Sequence, residues 1–357
     1  MKHATKIPYI KSLDGLRGFA VLMVLFTHVG YGLFPGGFLG VDIFFVISGY
    51  LITSLLWKEH ELSGRISLKN FYARRILRLY PPLLVTVALA NVLWTYSFLP
   101  VESDRMIASL ASMFYFANIV DERVMGNMHH LWSLAVEEHF YFLWPLVIIW
   151  MLSSATDSQR KWSIVALLVA TSVFRIVAGL HQGEWRYGLF IIDAYGFTFC
   201  RIDCILLGAL MYFVSDQKSL LESSRKKAWD VALLILCATF FLVCGFLLQL
   251  SNPRWLSGGF LLTNLFSAVA VFVALRNANS PIVANDVLVW VGRRSYGLYL
   301  YHVPIAMALE PLRVTDDKAN FIFVTTLRIV LSLVAAALSY EFIEKPVLQY
   351  KRRFSVA

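Results

Sequence analysis

Charged residues are scarce in this 357-residue chain, at 15% of the sequence, against about 25% in ordinary soluble proteins. Hydrophobic residues make up 58%. A chain with so little charge lacks the polar side chains that a water-soluble globule needs on its surface. The composition therefore excludes a soluble domain and predicts an integral membrane protein.

Cysteine is also rare. All four cysteines lie in apolar stretches, which argues against a disulfide framework and indicates small buried core residues. Cys200 and Cys204 are one helical turn apart, but only Asp203 accompanies them, so no metal site is expected. The other two are Cys237 and Cys244. No internal repeat and no low-complexity segment are apparent. A cleavable signal is not expected either, because Asp14 and Arg17 interrupt the first apolar run.

Long apolar runs, by contrast, recur along the whole chain. A transmembrane helix needs about 20 mainly apolar residues, and eleven stretches approach that length. They are 16 to 34, 39 to 57, 79 to 98, 105 to 120, 131 to 152, 162 to 180, 195 to 214, 229 to 250, 256 to 275, 295 to 311 and 321 to 343. Each is expected to be a helix, because an open strand edge cannot be satisfied in lipid.

The positions of Lys and Arg predict how many stretches cross. Cytoplasmic loops carry the excess of basic residues. Segments 58 to 78 and 215 to 228 are both basic, so an even number of crossings should separate them. Five candidates lie between, and the shortest, 105 to 120, is expected to be a re-entrant or surface element. The prediction is an all-α, polytopic membrane bundle of ten helices with both termini cytoplasmic.

This topology places 23 basic residues inside and six outside. It accounts for the net charge of +9 without a nucleic-acid partner. Residues 1 to 357 form one membrane-embedded domain in this prediction. Only about a dozen residues follow the last span, so no appended soluble domain is expected and the chemistry should lie inside the bundle.

Ionisable groups in the first predicted span point to function, since each costs roughly 2.5 to 3.5 kcal/mol near the bilayer centre. Arg17 and His28 share one helical face with Asp14 and lie roughly 16 Å apart along the axis. They are expected at two ends of one channel. His28 suits a general base, or a core histidine bonded to a neighbouring helix. Arg17 suits a phosphate ligand, or an interfacial arginine paired with Asp14.

A basic cluster follows the second predicted span. Arg74, Arg75 and Arg78 recur at helical spacing and are interleaved with aromatic residues. Guanidinium groups bind phosphate in bidentate fashion, and aromatic rings stack on bases, so the cluster suits a polyanion. Attraction to anionic lipid headgroups would explain the same cluster.

Several other polar residues interrupt predicted spans. Asp42 begins the second and could orient an imidazole or cap a helix. Glu137 and Glu138 lie near the outer end of another span and could orient a base or bind sugar hydroxyls. Polar links between helices are expected at Arg201 and Asp203. The same role suits four residues of a later span, Ser295, Tyr296, Tyr299 and His302.

Together these runs resemble acyltransferase family 3 of bacterial membrane O-acyltransferases. The family acetylates lipopolysaccharide O-antigen, Nod factors, exopolysaccharides and some macrolides. The resemblance covers nearly the whole chain through an ordered series of motifs: LDGLRGFAVLMVLFTH, GVDIFFVISGYLI, FYARRILRLYP, HLWSLAVEEHFYFLWP, RIDCILLGAL, GRRSYGLYLYHVPI and FIEKP.

The resemblance implies a ten-helix bundle in the bacterial inner membrane. It implies a cytoplasmic acyl-CoA donor, in the first place acetyl-CoA, and an acceptor hydroxyl presented from the periplasmic side, on a carbohydrate that can be lipid-linked. Some relatives carry a C-terminal hydrolase-like domain, which is not found in this sequence. The family's motifs fall on Arg17 and His28, on Arg75 and Arg78, and on Glu137 and Phe140.

On that basis Arg75 and Arg78, with Arg17 and the adjacent Arg74, are predicted to bind the phosphates of CoA. The pantetheine arm would carry the thioester toward His28, which deprotonates a sugar hydroxyl. Two residues, Asp42 and Glu137, are candidates for orienting the imidazolium. An acyl-histidine intermediate stays open. The rival hypotheses are acylation of a small molecule such as a macrolide, and a glycan transporter or flippase.

Overall fold

The computed structural model describes residues 9–30, 32–180, 184–215, 227–249, 255–314 and 316–350. It is 82% helical. Basic residues used in the orientation argument, near the N-terminus, in segment 216–226 and beyond 350, lie outside the described residues. The predicted polytopic helical architecture is confirmed.

Seven helices make up the first half of the described chain. They are α1 (Lys11–Val29), α2 (Gly40–Ser63), α3 (Leu68–Leu93), α4 (Arg105–Met113), α5 (Glu122–Met125), α6 (Trp132–Ser154) and α7 (Asp157–Leu180). Short 3-10 turns lie at Pro35–Leu39, Trp94–Tyr96, Ala117–Ile119 and Gly126–Leu131. The last three belong to the outer segment that joins α3 to α6.

The second half begins with two short strands, β1 (Glu184–Tyr187) and β2 (Phe190–Asp193). The helices that follow are α8 (Thr198–Val214), α9 (Lys227–Leu247), α10 (Phe260–Arg276), α11 (Asp286–Arg293), α12 (Ser295–Ala308), α13 (Lys318–Ser339) and α14 (Lys345–Tyr350). A 3-10 turn lies at Glu310–Leu312, and π-helical turns lie at Trp255–Gly259 and Tyr340–Glu344.

Seven described segments are long and apolar enough to cross a membrane. They are Lys11–Val29, Pro35–Ser63, Leu68–Tyr96, Glu122–Ser154, Asp157–Leu180, Ala228–Leu247 and Lys318–Tyr350. Three other predicted spans correspond to α8, α10 and α12, of 17, 17 and 14 residues. The stretch 105 to 120 contains only the nine-residue α4, about 14 Å long, which cannot cross a core of about 30 Å. Ten crossings stay a prediction.

A β-hairpin between α7 and α8 departs from the all-α prediction. Its strands pair antiparallel, with Glu184 opposite Asp193. Gly188 occupies the turn with a φ of 64°, a left-handed conformation that glycine adopts without steric cost. The hairpin packs on the α4 to α6 connection, where the Asp121 N–H donates to the Leu189 carbonyl at 3.1 Å. It thereby packs against the same end of the bundle as the α4 to α6 connection.

Helix α2 runs through the middle of the core and packs closely on α8. Gly49 and Gly208 face the partner backbone: an added Cβ would lie 1.9 Å from the Ile205 oxygen and 2.1 Å from the Val46 oxygen, respectively. Without a side chain at these two positions the helices approach to backbone contact. This contact brings polar residues near the start of both helices together.

Candidate active site

Three arginines line a cavity of about 230 Å³ at the centre of the bundle. Arg17 comes from α1, and Arg75 and Arg78 come from one face of α3. We call this space the arginine cavity. Its other walls are mainly apolar and come from α2, α6 and α12. The sequence prediction that these three arginines converge is consistent with this geometry.

None of the three arginines has an ion pair within the part of the chain that the structure describes. The Arg75 guanidinium lies 5.0 Å from the centre of the Tyr141 ring. Asp14, the alternative partner of Arg17, instead accepts a hydrogen bond from the Tyr9 hydroxyl at 2.7 Å. Three guanidinium groups around one cavity, without neutralising ion pairs, suit a polyanionic ligand.

Arg74 does not belong to this cavity, which corrects its prediction as a CoA ligand. Its guanidinium donates to Glu59 at 2.7 Å, and the other Glu59 oxygen accepts from the Ser67 N–H at 3.0 Å. Helical spacing places Arg74 only about 40° from Arg78 around the axis of α3, so its ion pair with Glu59, and not its position on the helix, distinguishes it from the arginines that line the cavity. Its pairing with a buried carboxylate is structural.

Glu137 also lies in the arginine cavity, and not beside His28 as predicted. Its carboxylate accepts from the Ser48 hydroxyl at 2.7 Å, and Ser48 in turn accepts from the Tyr141 hydroxyl at 2.9 Å. Glu137 is more than one turn inside α6. Its described contacts are in the arginine cavity, and its role of orienting the imidazolium stays a prediction.

Asp42 is likewise not a partner of His28. It accepts from Arg201 at 2.8 Å, with both side chains completely buried. It forms no side-chain cap at the start of α2. A second buried pair, Arg175 and Asp203 at 2.5 Å, lies nearby. Buried charges need partners, so Asp42 neutralises Arg201 and has no catalytic contact.

His28 lines a second space, of about 360 Å³, together with His129 and His130. We call it the histidine cavity. Arg17 and His28 line two different cavities, and both cavities are lined by Val41 and Tyr299. A single channel from Arg17 to His28 stays a prediction. The Tyr299 hydroxyl is fixed by the Ser133 hydroxyl at 2.7 Å and by the His130 carbonyl.

Hydrogen bonds assign the proton positions on the His28 ring. Nδ1 of His302 lies 2.7 Å from the Tyr299 carbonyl oxygen, which only accepts, so this nitrogen carries the proton and His302 Nε2 carries a lone pair. His28 Nδ1 lies 3.1 Å from that lone pair and 2.9 Å from the Val24 carbonyl. Facing two acceptors, His28 Nδ1 carries a proton. The ring's free lone pair is therefore on His28 Nε2.

This arrangement resembles the orientation of a catalytic imidazole by a hydrogen-bonded third group. The sequence had indicated His302 only as a polar link, because 274 residues separate it from His28. The signal available was a histidine in an apolar run that no charge pattern explained. Packing of α1 against α12 decides the contact.

Two further histidines come from the turn before α6. His129 Nδ1 lies 2.9 Å from the Gly126 carbonyl, and His130 Nε2 lies 3.1 Å from the Leu300 carbonyl. Each ring thus donates to backbone and keeps one lone pair. The centres of the His28 and His129 rings are 5.9 Å apart. The adjacent pair of histidines was visible in the sequence, but nothing in it showed their proximity to His28.

The outer wall of the histidine cavity is polar. It includes Asn118, Glu122, Glu184, Arg186 and Asp193. Burial raises the pKa of the Asp193 carboxyl, while the Gly196 and Tyr195 N–H groups oppose this shift. Arg186 pairs with Asp121 and with Glu184, which ties the hairpin to the α4 to α6 connection.

Within the described ranges, no group of three or more His, Cys, Asp or Glu is arranged to hold a metal ion. Cys200 and Cys204 are free thiols. Cys204 donates to the Asp42 backbone carbonyl at 3.2 Å, so it contributes to the packing of α8 on α2.

The fold and site define a polytopic helical membrane protein with a basic cavity adjoining an imidazole cavity. A family model described as an acyltransferase domain matches residues 10–341. The chain therefore belongs to acyltransferase family 3, as its motifs indicated.

The chain is similar to O-acetyltransferase OatA of Staphylococcus aureus, in strains NCTC 8325 and COL. Each is 31% identical over 95% of this chain and 57% of its own length. Another protein of strain COL, named provisionally as an O-acetyltransferase, is 31% identical over 96% of this chain and 58% of its own. The chain thus spans less than three fifths of these relatives. No solved structure matches it.

Proposed function

We propose that this chain is a membrane O-acyltransferase that moves an acetyl group from cytoplasmic acetyl-CoA to a hydroxyl of a cell-surface or lipid-linked carbohydrate. The single observation that carries the proposal is His28. Its ring lines the histidine cavity, which shares Val41 and Tyr299 with the arginine cavity, and its hydrogen bonds leave the lone pair on Nε2. Family membership supports the acyl-transfer chemistry.

The arginine cavity is the proposed donor site. CoA carries several phosphates, and Arg17, Arg75 and Arg78 supply guanidinium groups that form no ion pair with a carboxylate among the described residues, although Glu137 lines the same cavity. The cavity's other walls are mainly apolar and suit the pantetheine arm. The thioester would then lie near the boundary formed by Val41 and Tyr299.

The proton chemistry follows from the tautomer of His28. The acceptor hydroxyl donates to His28 Nε2, which takes its proton as the oxygen attacks the thioester carbon. The resulting tetrahedral species collapses by breaking the C–S bond. CoA leaves as a thiolate, takes the proton from His28 Nε2 and so returns His28 to its starting tautomer. During the reaction the Nδ1 proton of His28 stays bonded to His302 Nε2 and the Val24 carbonyl.

We further propose ten crossings with both termini in the cytoplasm of a bacterial cell, in its inner membrane. Lys and Arg concentrate in the segments assigned to the inside, as the positive-inside rule requires. This orientation gives CoA access to the arginines from the cytoplasm and opens the histidine cavity toward the periplasm, where surface glycans are presented.

Radiolabelled acetyl-CoA supplied to inverted membrane vesicles tests the proposal. We expect label in an endogenous glycan, and we expect His28→Ala to reduce transfer at least a hundredfold at equal protein abundance, because general-base catalysis contributes about 10²–10⁴-fold. His60→Ala is the matched control, since His60 lines neither cavity.

Transfer by His28→Ala at the wild-type rate would refute the base assignment. Label in a small secreted molecule, with none in glycan, would favour the macrolide-type acceptor. Glycan translocation without any label transfer would instead identify a flippase.

A further inference from the structure

The histidine cavity has an unusual balance of hydrogen-bonding groups. The Asn118 side-chain oxygen and His130 Nδ1 are both buried and have no hydrogen-bond partner among the described residues. Their residues are 2% and 1% exposed, and both line the cavity. Buried polar atoms without partners are costly, so two such atoms around one cavity indicate that a ligand supplies the missing bonds.

Both unpartnered atoms are hydrogen-bond acceptors. The donors of the same side chains are engaged within the protein: Asn118 donates to the Thr198 hydroxyl at 2.9 Å, and His130 donates through Nε2 to the Leu300 carbonyl. His28 and His129 repeat this pattern, since each uses Nδ1–H on backbone and keeps a lone pair on Nε2. The cavity therefore requires a ligand rich in donors.

The charged residues of the wall point the same way. Glu122, Glu184 and Asp193 are carboxylates, whereas the one guanidinium among the described residues of this wall, Arg186, is engaged by Asp121 and Glu184. Carboxylates accept hydrogen bonds and repel anions. Trp132 and Tyr195 also line the cavity.

We infer that the histidine cavity is the acceptor site and that it takes an uncharged, hydroxyl-rich sugar while discriminating against sugars that carry a carboxylate. This inference rests on the proposed acyltransferase function and adds to it the acceptor class and the residues that select it. Sugar hydroxyls donate to Asn118, His130 and the carboxylates. A uronate has a carboxylate in place of a hydroxymethyl group, so it offers one hydrogen-bond donor fewer. Its negative charge would also lie against Glu122, Glu184 and Asp193.

The β-hairpin contributes two of the carboxylates that select the sugar. Glu184 and Asp193 stand opposite each other across the two strands, and the Arg186 pair with Asp121 holds the hairpin on the cavity's outer rim. Glu122 approaches from α5 on the other side. The acceptor is thus enclosed between two extramembrane segments, outside the donor site.

Purified full-length chain in lipid nanodiscs, supplied with labelled acetyl-CoA, allows a direct comparison of acceptor classes. The probes are a pool of neutral tetrasaccharides, with glucose, galactose, mannose and N-acetylglucosamine units, and a matched pool of tetrameric uronates. We expect at least tenfold more transfer to the neutral pool. Glu122→Gln and Asp193→Asn should each reduce this preference at least threefold. Glu102→Gln, an exposed carboxylate that does not line the cavity, should leave it unchanged.

Three results would overturn the inference: equal or greater transfer to the uronates, a preference that neither Glu122→Gln nor Asp193→Asn alters, or no transfer to either pool by a protein that acetylates endogenous glycan in vesicles. Failure of the proposed function is distinguishable, because no glycan of any kind would then acquire label, in vesicles or in nanodiscs.

Discussion

At the scale of single residues, backbone carbonyls determine the chemistry of the site. Carbonyl oxygens of Val24 and Tyr299 fix the protons on Nδ1 of His28 and Nδ1 of His302. Because His28 Nδ1 carries the proton, the lone pair of the neutral ring is on Nε2. No carboxylate takes part, so Asp42 and Glu137, which carry the charge expected beside a catalytic histidine, serve elsewhere.

Replacement of His302 tests this pattern. His302→Leu removes the acceptor that faces His28 Nδ1, and we expect kcat to fall about 10- to 100-fold, as for other residues that orient a catalytic imidazole. The KM for acetyl-CoA should change little, because His302 does not line the arginine cavity. His302→Gln, whose amide oxygen can accept at the same place, should restore most of the rate. Equal losses in both variants would contradict the assignment.

Kinetic measurements should distinguish Arg75 and Arg78, which line the arginine cavity, from Arg74, which pairs with Glu59. Arg75→Gln and Arg78→Gln should each raise the KM for acetyl-CoA about tenfold, since a charge-assisted hydrogen bond contributes roughly 1.5 kcal/mol or more. Arg74→Gln should leave this KM unchanged and lower the thermal stability in detergent, because Glu59 would lose its buried partner. A rise in the KM for acetyl-CoA in Arg74→Gln would show that Arg74 contributes to the donor site.

At the scale of helices, the contact between α2 and α8 positions the buried ion pairs. Asp42 and Gly49 are seven residues apart in α2, and Arg201 and Gly208 are seven apart in α8. The two helices run parallel, so the Asp42–Arg201 ion pair and the close approach at Gly49 and Gly208 lie seven residues apart along both of them. Close approach of small residues is the usual basis of helix packing in membranes.

A side chain at this crossing should separate the two helices. Gly49→Val and Gly208→Val should each destabilise the fold by roughly 1 to 3 kcal/mol or more through overpacking, and activity should fall with the folded fraction. Thermal unfolding followed by size-exclusion chromatography measures this. Gly64→Ala is a control for an open position, as no heavy atom lies within 4 Å of an added Cβ, although its φ of 73° adds a small backbone cost. An unchanged melting temperature for Gly49→Val would refute the packing.

At the scale of the whole molecule, the proposed donor and acceptor sites are two adjoining cavities. Arginines from α1 and α3 line one cavity, and histidines from α1 and from the turn before α6 line the other. Val41 and Tyr299 line both. Exposed apolar side chains on α7, α9 and α13, such as Val173, Leu236 and Val334, are suited to contact lipid.

Single cysteines test this orientation. In intact cells made permeable only at the outer membrane or wall, a membrane-impermeant maleimide should label Glu102→Cys and Tyr187→Cys. Arg65→Cys and Asp157→Cys should react only after the inner membrane is opened, because the basic segments hold them inside. The wild-type chain, whose described cysteines are mostly buried, measures the background. The reverse pattern would invert the topology.

The sequence by itself determined the membrane environment, the helical class, the short α4 segment and the family. These depend on composition, apolar run length and motif order, which are local properties. It also singled out Arg17 and His28, because an ionisable side chain in an apolar run is visible without neighbours, and Arg75 and Arg78 through a basic cluster and a family motif. Their catalytic and binding roles stay predictions. Only the tertiary structure decided the partners. Asp42 with Arg201, Arg74 with Glu59 and His28 with His302 are contacts between side chains on different elements, and no local pattern fixes them. The two cavities have the same origin, because their linings combine residues of different elements, such as Val41 of α2 and Tyr299 of α12, which line both.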